Sequence, residues 1–429
     1  MGFIMKSLEQ DREILRKLAQ KVADIASLPI QDEKKRLWRK HNGLDPERPM
    51  VTIDQLCWNE LNIDNKLTLV CEDPECRVYE DRFRKILFQW EYFPVDMVVE
   101  GYINVSKAIK GAPTTTNNLP GALFGMKIIE QTIATDVAND IVSHHYENQF
   151  ESIDDVMEKI QMPIVSHDEA ETEHRMEKAK WLFDGIMPLR EEGWGYDPYV
   201  SLWDPISMWM GMEAVLYGLI DDPEKMHALI KRVIEGYMTM LDQLEALKLL
   251  YNYSQTTVHT TGAWTSDLPS PTFNENPSTR DMWMYSMAQC FVSISPSMFE
   301  EYEINYSMPL FERFGLVYYG CCEPLELKLD AVKRIPHLRK VSVSPWANRE
   351  SCAEQLGGNY VFSNKPSPAF LAGSVFDGER VKKDLEKTRA ICRQYRCPLE
   401  FIFKDVSTVA NDPKRLIEIA EIAMRVATT

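Results

Sequence analysis

GLVYYGCCEPLELKLDAVKRIPHLRKVSVSPWAN, residues 315–348, decides the fold class. Two short runs rich in β-branched and aromatic residues, 316–319 and 340–344, read as strands. The segment between them, 323–334, reads as a helix. An antiparallel pair can be joined by a tight turn, whereas parallel neighbours need a long crossover. The stretch therefore predicts a parallel strand–helix–strand unit.

Working outward, the same alternation recurs. Further strands are expected at 95–100, 250–253, 360–362 and 399–403, and one is placed near 123–129, next to the polar loop GAPTTTNNLPGALFG at 111–125. Helices are expected at 168–187, 221–247, 296–313, 349–356, 379–394 and 412–427. Ser295–Pro296 and Asp412–Pro413 supply start signals, a capping side chain followed by proline in the first turn. This pattern predicts an α/β protein, a (β/α)8 TIM barrel spanning 93–429, with an open parallel sheet as the alternative. Before it, apolar spacing near 3 and 4 predicts helices at 6–27, 31–42 and 80–92, with a short strand at 50–53. Residues 1–92 read as a mostly helical extension packed on the barrel.

The chain has 429 residues and a formal net charge of −17, which argues against nucleic-acid binding through clustered Lys and Arg. The segment MGFIMKSLEQDREILRK turns charged too early for a signal peptide, and no run approaches the roughly 20 apolar residues of a membrane span. A cytoplasmic protein without a membrane partner is expected. The nine cysteines show no CxxC pair, which fits reduced thiols rather than a disulfide scaffold or zinc ribbon.

In a barrel the chemistry sits at the C-terminal ends of the strands. The polar residues there are Glu100 and Tyr102; Gln255 and His259; Cys321, Cys322 and Glu323; Ser344 and Trp346; Asn364 and Lys365; Lys404 and Asp405. His259 is either a buried, hydrogen-bonded histidine or a general acid or metal ligand. Cys321, Cys322 and Glu323 offer soft and hard metal ligands, or two small buried side chains. Strand alternation directs at most one of the two thiols inward. Glu100 ends an apolar run, where a carboxylate is costly unless paired or used. Lys404 and Asp405 are either site residues or a surface pair, and Asn364 and Lys365 precede two prolines that stiffen their loop. GxGxxG, Walker A, HExxH and GxSxG are all missing, so dinucleotide, nucleotide, metalloprotease and serine-hydrolase readings lose their main support.

Several ordered segments resemble the uroporphyrinogen decarboxylase superfamily over residues 94–427. They are QCFVSISPSMFEEYEINYSMPLFERFG (289–315), with Gln289, Ser295, Pro296, Phe299 and Glu300; DPISMWMGMEAVLYGLIDDPEKMHALIKRVIEGYM (204–238), with Asp221, Asp222 and Pro223; and the opening stretch. The Arg-rich motif that grips porphyrinogen carboxylates is missing. In the branch that methylates coenzyme M, a His-x-Cys and a later Cys bind zinc. Here Cys321 matches the first Cys, but Tyr319 stands for the His, and Lys404 and Asp405 lie where the last Cys belongs. That pattern does not support zinc, and whether a metal is present stays open. RPMVTIDQLCWNEL and FPVDMVVEGY resemble the corrinoid-dependent demethylating methyltransferases.

The resemblance implies transfer of a methyl group from a donor, foremost an aryl methyl ether, to Co(I) of a corrinoid (cobalamin) carried by a partner protein. It also suggests a homodimer. On that reading His259 or Glu323 polarises the leaving group, with Glu100 and Asp405 as supports. Tyr318, Tyr319, Trp264 and Trp346 form an aromatic wall, and Asn364 and Cys321 contact the substrate. The rivals are a barrel lyase that decarboxylates an aromatic or tetrapyrrole-like acid, needing a cationic clamp for which Lys365 and Lys404 are available, and a noncatalytic corrinoid or tetrapyrrole carrier.

Overall fold

The computed structural model describes residues 2–112, 123–134, 142–271, 273 and 276–429. Most of the polar loop at 111–125 lies outside the described residues. Six parallel strands form one sheet: β1 (Met50–Ile53), β2 (Trp283–Ser286), β3 (Leu316–Tyr319), β4 (Leu338–Val343), β5 (Val361–Asn364) and β6 (Leu399–Phe403). Their order is β1-β6-β5-β4-β3-β2, and every pairing is parallel. Almost every residue in them is buried, so both sheet faces are covered, as parallel sheets require. Alternation sorts the side chains. Val317, Val341, Phe362 and Phe401 belong to the main core, whereas Trp283, Tyr285, Tyr318 and Ile402 pack together on the inner face.

The opening unit is observed as expected, with β3 beside β4. Its connecting helix is shorter, Leu329–Val332, because the Glu323 carboxylate bonds its own loop and Pro324 comes next. Three other expectations are corrected. Residues 95–100 form no strand: Val95 has a φ of +34°, and the Asp96 carboxylate turns the chain back onto Arg48 (2.6 and 2.9 Å) and the Val51 amide (2.8 Å). The 250–253 strand shrinks to one bridge, Leu250 with Trp194. The strand near 123–129 is a bridge, Leu123 with Met126, followed by Glu130–Ala134 paired antiparallel with Val142–Tyr146. Met50–Ile53, expected in the extension, is an edge strand of the main sheet against β6.

The N-terminal helices are α1 (Gly2–Ala26), α2 (Ile30–Asn42) and α3 (Pro74–Tyr92). Leu15, Val22, Cys76 and Phe83 of α1 and α3 build a second core with Ile103, Val105 and Phe183. α2 instead closes the lower end of the main sheet's inner face. Lys340 of β4 and Glu400 of β6 pair there at 2.9 Å, fully buried, with His41 of α2 3.3 Å from the same carboxylate oxygen. Thr261 and Ser363 donate to Glu400 at 2.9 and 2.6 Å, and the Lys340 ammonium faces the Trp38 ring at 5.2 Å. Together these partners hold the Glu400 carboxyl far below its ordinary range against the penalty of burial. Glu400 lies four residues before Lys404, about 13 Å below it at roughly 3.3 Å per residue. Among the described residues, no helix is long and apolar enough to cross a membrane.

Candidate functional site at the strand ends

A cavity of about 500 Å³ opens where the parallel strands end. Each strand contributes the residues just past its last position: Gln55 after β1, Met287 after β2, Cys321 and Cys322 after β3, Trp346 after β4, Lys365 after β5, and Lys404 and Asp405 after β6. Strand-end geometry therefore gathers what is scattered over 350 residues of sequence.

His259 enters from the side. It sits at the tip of a two-residue hairpin in which Thr257–Val258 pairs with Thr261–Gly262. A type I′ tip needs positive φ at both central residues, usually Asn-Gly. Here His259 and Thr260 hold φ of +40° and +72°, a strained choice costing about 1–3 kcal/mol per residue. The Asp197 carboxylate fixes the tip by accepting the His259 amide at 2.9 Å. The imidazole then lies flat on Tyr285, centroids 3.6 Å apart and planes 7° from parallel. Tyr199 stacks beneath Tyr285 at 5.3 Å and donates a hydrogen bond to Asp204.

The polar centre is a triangle. The Lys404 ammonium lies 2.9 Å from His259 Nε2 and 3.3 Å from Cys321 Sγ, and the sulfur lies 3.7 Å from the same ring nitrogen. Burial, reinforced by the Lys404 charge, pushes the imidazole down to about 3. His259 is therefore neutral and accepts a hydrogen bond from Lys404. Cys322 lies 3.5 Å from Cys321 Sγ, and both thiols are free. The hydrogen bond from Cys322 outweighs burial and, helped by the Lys365 and Lys404 charges, pulls the Cys321 thiol well below its ordinary range. Cys322 moves up, because it gives that hydrogen bond. Burial raises the Asp204 carboxyl to about 6.

The two thiols overturn the expectation that only one faces inward. The strand stops at Tyr319, and Gly320 (φ +93°) turns the chain so that both line the cavity. Cys321 Sγ, Cys322 Sγ and an Asp405 oxygen lie within 4.8 Å of one another, a donor set able to hold a soft cation. His259 Nε2 touches Cys321 Sγ at 3.7 Å but is not part of that three-donor group, and it faces the Lys404 ammonium at 2.9 Å.

Of the other sequence-derived candidates, Asp405 lines the cavity and Trp346 stands at its rim, 77% exposed. Tyr318 lies on the inner face next to Tyr285, at 5.3 Å. Glu323 is buried outside the cavity lining; its carboxylate accepts the Cys321 amide at 2.9 Å, and burial raises it to about 7. It shapes the cysteine loop from beneath. Tyr319 points to the opposite face, where its hydroxyl donates to Glu303 at 3.0 Å. Asn364 alternates outward, since its neighbour Ser363 points inward to Glu400. Glu100 and Trp264 line a separate cavity of about 480 Å³, and Glu100 pairs there with Lys35 at 2.9 Å. Tyr285, Tyr199 and Asp204 are not anticipated from sequence, since the WMYS strand is not among the expected strands.

No protein-family model matches the sequence, and no curated protein matches it. Among solved structures, the chain is similar to a methyltransferase from Methanosarcina mazei, at 9% identity, covering 92% of this chain and 97% of that one, with a TM-score of 0.48.

Proposed function

We propose that this chain transfers a methyl group from a methylated donor, foremost an aryl methyl ether, to Co(I) of a corrinoid carried by a partner protein. On this reading the six-stranded sheet is the greater part of an eight-stranded barrel. The Lys404–His259–Cys321 triangle beside stacked rings, in a cavity open at the strand ends, is the observation that carries the proposal.

The corrinoid supplies the nucleophile, and this chain supplies position and leaving-group stabilisation. Trp346 and the prolines 345, 366 and 368 give the cavity a stiff, largely apolar rim on which a flat macrocycle and its carrier can seat. The His259–Tyr285–Tyr199 stack gives an aromatic donor a flat surface. A phenolate leaves poorly unless its oxygen is bound by a cation or protonated. The polarising role passes from His259 and Glu323 to Lys404, whose ammonium is held by His259 and Cys321, faces the Asp405 carboxylate at 3.6 Å, and has a third hydrogen to turn to the ether oxygen. His259 stays neutral and orients Lys404, and the Cys321 thiolate fixes it from the other side.

The test mixes purified protein, a reduced corrinoid protein and methoxylated aromatics, and monitors the corrinoid absorbance. Methylation in the presence of the chain supports the proposal; none with ether, amine or thioether donors removes it. A second reading, decarboxylation of an aromatic acid, is favoured by one observation, the meeting of Lys365 and Lys404 in one cavity. Release of labelled CO2 from such an acid, without corrinoid methylation, would select it.

A further inference from the structure

Cys321 and Cys322 are held face to face. Gly320 makes the turn before them with a φ of +93°, which glycine adopts without strain. Past the turn the Cys321 backbone is anchored on both sides. Its amide donates to Glu323 at 2.9 Å, and its carbonyl accepts from Ser342 Oγ at 2.6 Å. The two Sγ atoms then stand 3.5 Å apart, and both side chains line the strand-end cavity. A disulfide needs about 2.05 Å between sulfurs, so closure is a shift local to one pair of neighbours. The two sulfurs have unequal surroundings. The Lys404 ammonium lies 3.3 Å from Cys321 Sγ and makes it the more nucleophilic of the two. An Asp405 oxygen lies 3.5 Å from Cys322 Sγ, placed to accept its proton.

We propose that Cys321 and Cys322 form an oxidation site, which hydrogen peroxide converts to a disulfide between adjacent residues and a dithiol reopens. The Cys321 sulfur attacks one peroxide oxygen, the O–O bond breaks, and hydroxide leaves with the proton that the Cys321 thiol has shed, giving Cys321–SOH. The Cys322 sulfur then displaces that hydroxyl, which takes the Cys322 proton by way of Asp405 and departs as water. The pair loses two electrons and two hydrogens, and one peroxide becomes two waters. Neighbouring Cα atoms are about 3.8 Å apart, less than the roughly 4.4–6.8 Å of ordinary disulfides, so the bond is strained and readily reduced. That suits a reversible mark rather than a structural brace. A disulfide sulfur carries no negative charge and no longer fixes Lys404. Loss of turnover on oxidation rests on the proposed function; the modification itself does not.

The experiment treats the folded full-length chain with hydrogen peroxide, blocks the remaining thiols with iodoacetamide and maps the peptides by mass spectrometry over time. The peptide carrying 321 and 322 is expected to become lighter by two hydrogens, at least about tenfold faster than the buried Cys392 and Cys397 are modified. Dithiothreitol should return both thiols. Cys322→Ser cannot close the bond and is expected to carry Cys321 on to sulfinic acid, which dithiothreitol does not reverse. Free thiols at 321 and 322 after treatment, sulfinic acid in the native chain without loss of two hydrogens, or recovery of Cys322→Ser as complete as that of the native chain overturns the inference. In the corrinoid assay the oxidised native chain should lose its activity and regain it with dithiothreitol. A reversible disulfide in a chain that methylates no corrinoid leaves the oxidation site standing and removes the methyl-transfer reading. Corrinoid methylation by a chain that forms no such disulfide does the reverse.

Discussion

Lys404 is the residue on which the proposed mechanism turns, because it joins His259 and Cys321. Lys404→Met should slow methyl transfer by about 10²–10³-fold, the usual loss for one preorganised charge, with the fold retained by circular dichroism. His259 carries a different signature. Its ring stays neutral down to about 3, so His259 should add no inflection near 6.5, and His259→Gln should leave the shape of the rate profile between pH 5 and 8 unchanged. The sign for stability comes from the same shift. Unfolded chain binds a proton at its ordinary 6.5 that folded chain refuses, so stability falls as pH drops from there towards 3. His259→Gln, which keeps an acceptor and never titrates, should flatten that loss in acid melting curves. The strand-end rule finds His259, Cys321 and Asp405 in the sequence. It also names Lys404 and Lys365, but nothing in a linear sequence separates a surface lysine from one folded inward. Tyr318 and Tyr319 show the other limit: neighbours in a strand face opposite sides, so only one can reach the inner face.

Elements are legible where local chemistry is strong. Ser295 caps its helix by accepting the Met298 amide at 3.2 Å, and Ser295→Ala should cost about 0.5–2 kcal/mol in denaturant melts. The helix expected at 296–313 is interrupted by a π-helical turn, Glu300–Ile304, which places Glu303 under Tyr319. Burial raises that carboxyl to about 8, so it is mostly protonated at neutral pH. Its stabilising contribution is present below its ordinary 4.5 and is lost as pH rises through 8. Glu303→Gln should therefore melt higher than the native chain at pH 9, by on the order of 1–3 kcal/mol, and gain less at pH 6. The strand expected at 95–100 does not form, for a reason periodicity does not register: the Asp96 carboxylate captures Arg48 and a backbone amide and bends the run. The hairpin tip at His259 carries neither Asn nor Gly, so its turn has no signal in the sequence.

At the scale of the whole molecule, the parallel sheet is readable from strand–helix alternation, and the placing of β1 is not. Four residues at 50–53 look like part of a helical extension until their pairing with β6 is seen, 350 residues away. That closure brings α2 under the sheet, where Lys340 and Glu400 lie buried as an ion pair. Lys340→Met should cost about 3–5 kcal/mol, since it strands a buried carboxylate; Lys340→Met with Glu400→Leu should recover much of it. The same frame holds the six strand ends around one cavity, and the function rests on what that cavity does. The most direct measurement is corrinoid methylation from 4-methoxybenzoate, read by absorbance, with native chain and Lys404→Met run side by side. The account predicts rapid methylation by the native chain and a rate at least about a hundredfold lower for the variant, both folded. No methylation by the native chain, or equal rates for the two, would contradict it.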